Sequence, residues 1–64
     1  MSRSEEPFHL TCSLVKKTEA SIQVRTLQGE RIWFPLSTVI EENFTHGQGF
    51  ILIEPWIARK KGVW

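Results

Sequence analysis

The residues able to do chemistry in this 64-residue chain are few. They are two histidines, one cysteine, seven acids that are all glutamate, and eight lysines and arginines. A nucleophilic cysteine needs an imidazole within hydrogen-bond reach, and a zinc site needs three or four N or S ligands converging on one point. His9 and Cys12 stand three apart in an alternating stretch, and a strand sends such positions to opposite faces. His46 sits far along the chain in a separate segment. The spacing therefore assembles neither an activated thiol nor a metal centre. Gly47-Gln48-Gly49 leads into an apolar run of strand type, so it does not open a helix on a phosphate group. The expectation is a protein that is not an enzyme and that uses no metal or other cofactor.

What remains is binding chemistry. Arg25, Arg31 and Trp33, with Gln23 beside them, combine guanidinium groups, an amide and a large flat ring. That set suits a base stacked on Trp33 with phosphates on the arginines. It equally suits an Arg-Trp anchor for an acidic protein surface. The local alternative is that the arginines stack on Trp33 and cover it, worth about 0.5–1 kcal/mol at an exposed site. A secondary partner-binding set is Arg59, Lys60 and Lys61 with Trp64. Its local explanation is three cations complementing the C-terminal end of a helix.

A hairpin over 20–37 is what gathers the first set. Thr26-Leu27-Gln28-Gly29-Glu30 suits a three-residue loop, with Gly29 in the left-handed conformation that closes a type I turn plus bulge. That loop places Thr26 opposite Glu30, Val24 opposite Ile32 and Ile22 opposite Phe34, all on one apolar face. The other face then pairs Arg25 with Arg31, Gln23 with Trp33 and Ser21 with Pro35. Two arginines in direct opposition repel, so this face calls for a reason.

Upstream, residues 1–7 are polar, end at Pro7 and read as a loose tail. Phe8 to Val15 alternates, with Phe8, Leu10, Cys12 and Leu14 on the inner side of a half-buried strand. Lys16 to Glu19 reads as a polar, soluble turn into the hairpin. Downstream, Pro35 cannot donate to a ladder, so the third strand ends there or lies at an edge. Ser37 or Thr38 is placed to cap one helical turn through Val39 and Ile40, and Thr38 with Glu41 has capping-box spacing. Residues 42–49, rich in Asn and Gly, read as a loop with Phe44 tucked under it or exposed. Phe50 to Ile53 is apolar on both faces and reads as a fourth strand covered on both sides, the second cover being the C-terminal tail. Glu54, Pro55, the cations at 59–61 and Gly62 are start and stop signals for a helix over 55–61. Trp56 and Ile57 are expected to pack on the sheet, with Val63 and Trp64 folding back beyond Gly62.

At this length the chain makes one thin-cored domain, residues 8–64, marginal unless its sheet closes or a partner covers it. The composition is 41% hydrophobic and thus globular, and a formal net charge of +1 leaves any attraction for nucleic acid to local clusters. A single cysteine permits no internal disulfide and points to a reducing compartment, read here as the cytoplasm. No apolar run approaches the ~20 residues that would span a bilayer.

Two stretches carry a resemblance. Trp33-Phe34-Pro35-Leu36-Ser37, followed by Pro55-Trp56-Ile57-Ala58 with Lys60-Lys61-Gly62, resembles a group of small proteins from phages and other mobile elements. In that group an aromatic-aliphatic-Pro-x-Ser strand end precedes a short Trp-containing helix ending in Lys-Gly. The resemblance spans residue 20 onward. It departs at Glu54-Pro55-Trp56, where the group pattern has proline first and then glutamate. Its implication is a context in which small accessory proteins bind and inhibit host defence complexes, CRISPR effectors among them.

The expected fold is mainly β: a small bent antiparallel sheet or partly open SH3-like or OB-like barrel of four to five strands with a short C-terminal helix. The expected function is a non-enzymatic phage or mobile-element interaction module that binds a host protein or ribonucleoprotein complex. The alternatives are a single-stranded DNA or RNA binder using the same hairpin face, and a homodimer that buries the double-sided apolar strand.

Overall fold

A computed structural model describes residues 6–64. The tail expected over 1–7 therefore lies mostly outside the described residues. The chain runs β1 (Phe8–Lys17), β2 (Ser21–Thr26), β3 (Arg31–Pro35), a 3-10 turn (Leu36–Thr38), β4 (Val39–Thr45), β5 (Gln48–Ile53) and α1 (Pro55–Lys61). The strands form one antiparallel sheet in the order β3-β2-β1-β5-β4. The fold is thus five antiparallel strands in an open sheet with one short C-terminal helix. Sheet closure does not occur through hydrogen bonds, since β3 and β4 stand at opposite edges and are joined only by the 3-10 turn.

The β2–β3 hairpin has the register that its loop requires. Ile22 pairs with Phe34, Val24 with Ile32, Gln23 with Trp33 and Arg25 with Arg31. Gly29 adopts φ 90° and donates its N–H to the Thr26 carbonyl at 2.9 Å, while the Thr26 N–H donates to the Glu30 carbonyl at 2.8 Å. The Glu30 N–H also donates to Thr26 Oγ1 at 3.2 Å. Because a non-glycine residue resists that left-handed backbone, Gly29 sets the pairing of every residue after it.

The structure departs from what the sequence leads one to expect in several places. Lys16 and Lys17 belong to β1, which carries a bulge between Leu14 and Lys16, so Lys16 pairs with Gln23. The turn is confined to Thr18–Ala20. There Thr18 Oγ1 accepts the N–H groups of Ala20 and Ser21 at 3.3 and 3.1 Å. Next, the helical turn lies at Leu36–Thr38, not through Val39 and Ile40, and no side chain caps it. The Thr38 hydroxyl instead donates to the Pro35 carbonyl at 2.6 Å, and Val39 and Ile40 begin a strand.

The loop expected over 42–49 is mostly strand. β4 runs to Thr45, and His46 and Gly47, with φ 56° and 81°, make a two-residue turn into β5. Positive φ at both central residues is the backbone of a tight hairpin turn whose twist matches the strands. Finally, the tail does not give Phe50–Ile53 a second cover. Ile57 and Ala58 of α1 join the same core cluster as Ile51 and Ile53. The outward ring of Phe50 is met instead by His9.

The core holds Cys12, Ile22, Val24, Phe34, Ile51, Ile53, Ile57 and Ala58, edged by half-buried Phe8, Leu10, Leu14, Ile32 and Phe44. It therefore occupies the inner face of the sheet beneath α1. Lys17 Nζ and Glu42 Oε2 lie 2.8 Å apart and link the end of β1 to edge strand β4. At that exposure the pair adds little stability. The helix keeps its expected bounds: Pro55 opens it, Arg59, Lys60 and Lys61 fill its last turn, and Gly62 ends it at φ 80°.

Trp56 departs from expectation. It is 53% exposed, whereas Ile57 and Ala58 are buried. Neighbouring helical residues point about 100° apart, and the face carrying Ile57 and Ala58 already fills the gap over the sheet. Beyond Gly62 the chain folds back as expected, with Val63 and Trp64 N–H groups both donating to the Ala58 carbonyl at 3.0 and 3.3 Å.

Cys12, buried on the inner side of β1, has its thiol pushed up to about 11 by burial, against an ordinary value of 9.0. A thiol held neutral is a poor nucleophile. Native protein is expected to react with a maleimide far more slowly than unfolded protein. Equal rates in the two states would show that Cys12 is accessible. The raised value also means that the folded state holds its proton longer than the unfolded chain does. Stability from this group is complete below about pH 9 and is lost as pH rises towards about 11, which thermal melts across that range would show.

Candidate interaction face

Directly paired residues of antiparallel neighbours share a face of the sheet, so the outer surface can be read across the strands. Arg31, Arg25, Ser13, Gln48 and Thr45 form one row from β3 to β4. Trp33, Gln23 and Lys16 form the next row over β3, β2 and β1. The structure therefore brings together Gln23, Arg25, Arg31 and Trp33 on one face. Arg25 and Arg31 are exposed, Gln23 is half-buried and Trp33 is 40% exposed.

Lys16 joins this face, and the sequence reading missed it. Strict alternation along β1 puts Lys16 on the inner side with Leu14. The bulge at Val15 inserts one residue and turns Lys16 outward beside Gln23. A bulge leaves no strong mark in a single sequence, although the polar pair Lys16-Lys17 after an alternating run is consistent with one. Among the described residues, neither Arg25 nor Arg31 is paired with an acid, and neither stacks on Trp33. The local explanation for the hairpin arginines thus lacks its contact. The cation–π contact lies elsewhere, with Arg59 Cζ 4.5 Å from the centroid of the Trp64 ring.

That contact belongs to the secondary set. Arg59, Lys60 and Lys61 occupy the last turn of α1, where the helix carbonyls favour positive charge. Trp64 is 60% exposed and leans on Phe8, with ring centroids 5.3 Å apart. Trp64 therefore packs against Phe8 at the surface, with the Arg59 guanidinium over its ring. Exposed Trp56 adds a large apolar group to the helix surface.

His9 and Cys12 lie on opposite faces. The ring of His9 stacks on Phe50 on the outer side, with centroids 4.5 Å apart and planes 25° from parallel, and Cys12 is buried on the inner side. Among the described residues, no three metal-ligating side chains come together.

No family model, curated protein or solved structure matches this chain. Functional inference therefore rests on the chemistry of the face itself. Among the described residues, no helix is long and apolar enough to cross a membrane.

Proposed function

We propose that this protein is a non-enzymatic interaction module whose outer sheet face, centred on Trp33, Arg25 and Arg31, binds a host protein or ribonucleoprotein complex. The observation carrying this reading is a cluster of cations beside a part-exposed tryptophan, on a face that α1 does not cover and where, among the described residues, no acid pairs with Arg25 or Arg31. A partner that contributes negative charge relieves the repulsion between Arg25 and Arg31, which oppose each other directly. The assignment to a phage or mobile element acting on a host complex, such as a CRISPR effector, follows from the resemblance in the strand end at 33–37 and the helix at 55–62.

Trp33→Ala and Arg25→Glu should both fold, because neither side chain belongs to the core. Truncating a central tryptophan or arginine anchor costs ~2 kcal/mol or more, about thirty-fold in affinity. Capture of the host complex by tagged protein, compared between parent and each variant, measures that loss. Undiminished capture by both variants would show this face to be ordinary surface. The site would then move to Arg59, Lys60, Lys61 and Trp64.

A further inference from the structure

The outer face extends beyond the hairpin. Phe50 on β5 is met by the stacked ring of His9 on β1, making a second aromatic platform on the side of the sheet that carries Trp33. Three strand steps separate β3 from β5, and the register offsets Trp33 from Phe50 by about four residues along the strands, so the platforms lie about 20 Å apart at normal strand spacing and rise. Between the platforms lie Lys16, Arg25 and Arg31 and the hydroxyl and amide groups of Thr11, Ser13 and Gln48. A hollow of about 510 Å³ is lined by Thr11, Ser13, Thr45 and Gln48 from this region together with Cys12, Leu27 and Gly49. Among the described residues, the outward positions of β1, β2, β3 and β5 hold three cations and no acid, and the outward acid of the face, Glu41, stands on edge strand β4 opposite Leu52.

We propose that this face is a track for a single strand of nucleic acid. Bases stack on Trp33 and on the His9–Phe50 pair, and phosphates run over Lys16, Arg25 and Arg31. Rings set this far apart match a strand whose bases are splayed apart, whereas a duplex hides its base faces and offers only phosphates. Hydroxyl and amide side chains between the rings supply partners for base edges or sugars without demanding one sequence. Aromatic platforms combined with unpaired cations distinguish this ligand from an acidic protein surface, which supplies charge but no series of π-faces. The inference rests on the outer face being the binding face, and it names the nucleic-acid strand as what that face touches.

The test is fluorescence anisotropy with a labelled 12-nucleotide mixed-sequence single strand, as RNA and as DNA, alongside the corresponding duplex. Parent protein should bind the single strand more tightly than the duplex. Its log affinity should fall with log salt at a slope of about −2, as expected when three cations displace counterions from a single strand. Trp33→Ala and Phe50→Ala should each weaken binding about ten-fold, the loss of one stacked base. Arg25→Glu should make the salt slope shallower by about 0.7 or more. His9→Ala, an exposed ring, serves in place of Phe50→Ala if that variant melts early. Preference for RNA over DNA would assign a role to the 2′-hydroxyl, and equal affinity would assign none; either agrees with the proposal.

Absence of single-strand binding at 50 mM salt overturns the inference, and so does binding unchanged in all of these variants. Equal affinity for the duplex also overturns it, because the rings then play no part. The broader interaction reading is judged separately. If no oligonucleotide binds but Trp33→Ala and Arg25→Glu still abolish capture of the host complex, only the nucleic-acid inference fails. If capture also survives both substitutions, the face itself fails.

Discussion

Gly49→Ala is expected to unfold this protein. Gly49 lies in β5 between Cys12 of β1 and Phe44 of edge strand β4. A methyl group added there would overlap the backbone carbonyl of Asn43 and press on the Cα of Phe44, both fixed parts of β4. Side chains can rotate away from a new methyl, but a paired backbone can yield only by giving up its ladder. Ordinary overpacking costs about 1–3 kcal/mol, and a clash with fixed backbone lies at or beyond the top of that range. Domains of this size hold only about 5 kcal/mol or little more in total. The expected result is an unfolded or molten variant at 37 °C, read by far-UV circular dichroism and thermal melting. A Gly49→Ala protein that melts within a few degrees of the parent would mean that β4 does not approach β5 as closely as it does in this structure. Gly29→Ala is the instructive comparison: its Cβ would meet nothing, so its cost is limited to the strained φ of 90°.

Phe34→Ala is the second large effect, and it reverses the importance of two aromatic residues. Phe34 is the largest fully buried side chain, pairs with Ile22 and faces the core cluster that includes Ile57 and Ala58 of the helix. Removing its ring leaves a cavity between sheet and helix, at a cost of about 3–5 kcal/mol. The mutant should lose most of its cooperative melt. Trp56, expected from the sequence to anchor the helix, is 53% exposed, so Trp56→Ala should cost under about 1 kcal/mol. Urea titrations of the two variants side by side test the assignment of inner and outer faces. A larger loss for Trp56→Ala than for Phe34→Ala would place the helix the wrong way round on the sheet.

The charge distribution gives the outer face its character despite a net charge of only +1. Glutamates sit at turns, on edge strand β4 and before the helix, while Lys16, Arg25 and Arg31 gather on the outside of β1–β3. Fields from clusters of this kind reach about 8–10 Å at physiological salt, so what counts is the local patch and not the total. Binding through this face should accordingly weaken as salt is raised, even though the whole protein is nearly neutral.

Local chemistry determined the hairpin, the helix and the contents of the candidate face. Gly29 is required by a left-handed turn position, and once that turn is placed, the period of two along a strand sets every pairing from Ser21–Pro35 to Arg25–Arg31. Pro55, the three cations at 59–61 and Gly62 mark a helix whose signals all lie within one short segment. These features are legible because each depends on neighbours in sequence.

Tertiary structure decided the rest. β4 is an edge strand whose outward side is polar, and one of its inward residues, Glu42, is paired with Lys17 from β1; its sequence therefore lacks the apolar alternation that marks a strand. Lys16 faces outward only because a bulge in β1 shifts the register, a choice made by the fit of β1 to β2. The same dependence applies to the ring of Phe50, which finds His9 from another strand, and to Trp56, displaced from the core because Ile57 and Ala58 already fill it. A large apolar side chain is drawn inward by its own chemistry, but whether a place exists for it depends on residues far away in the chain.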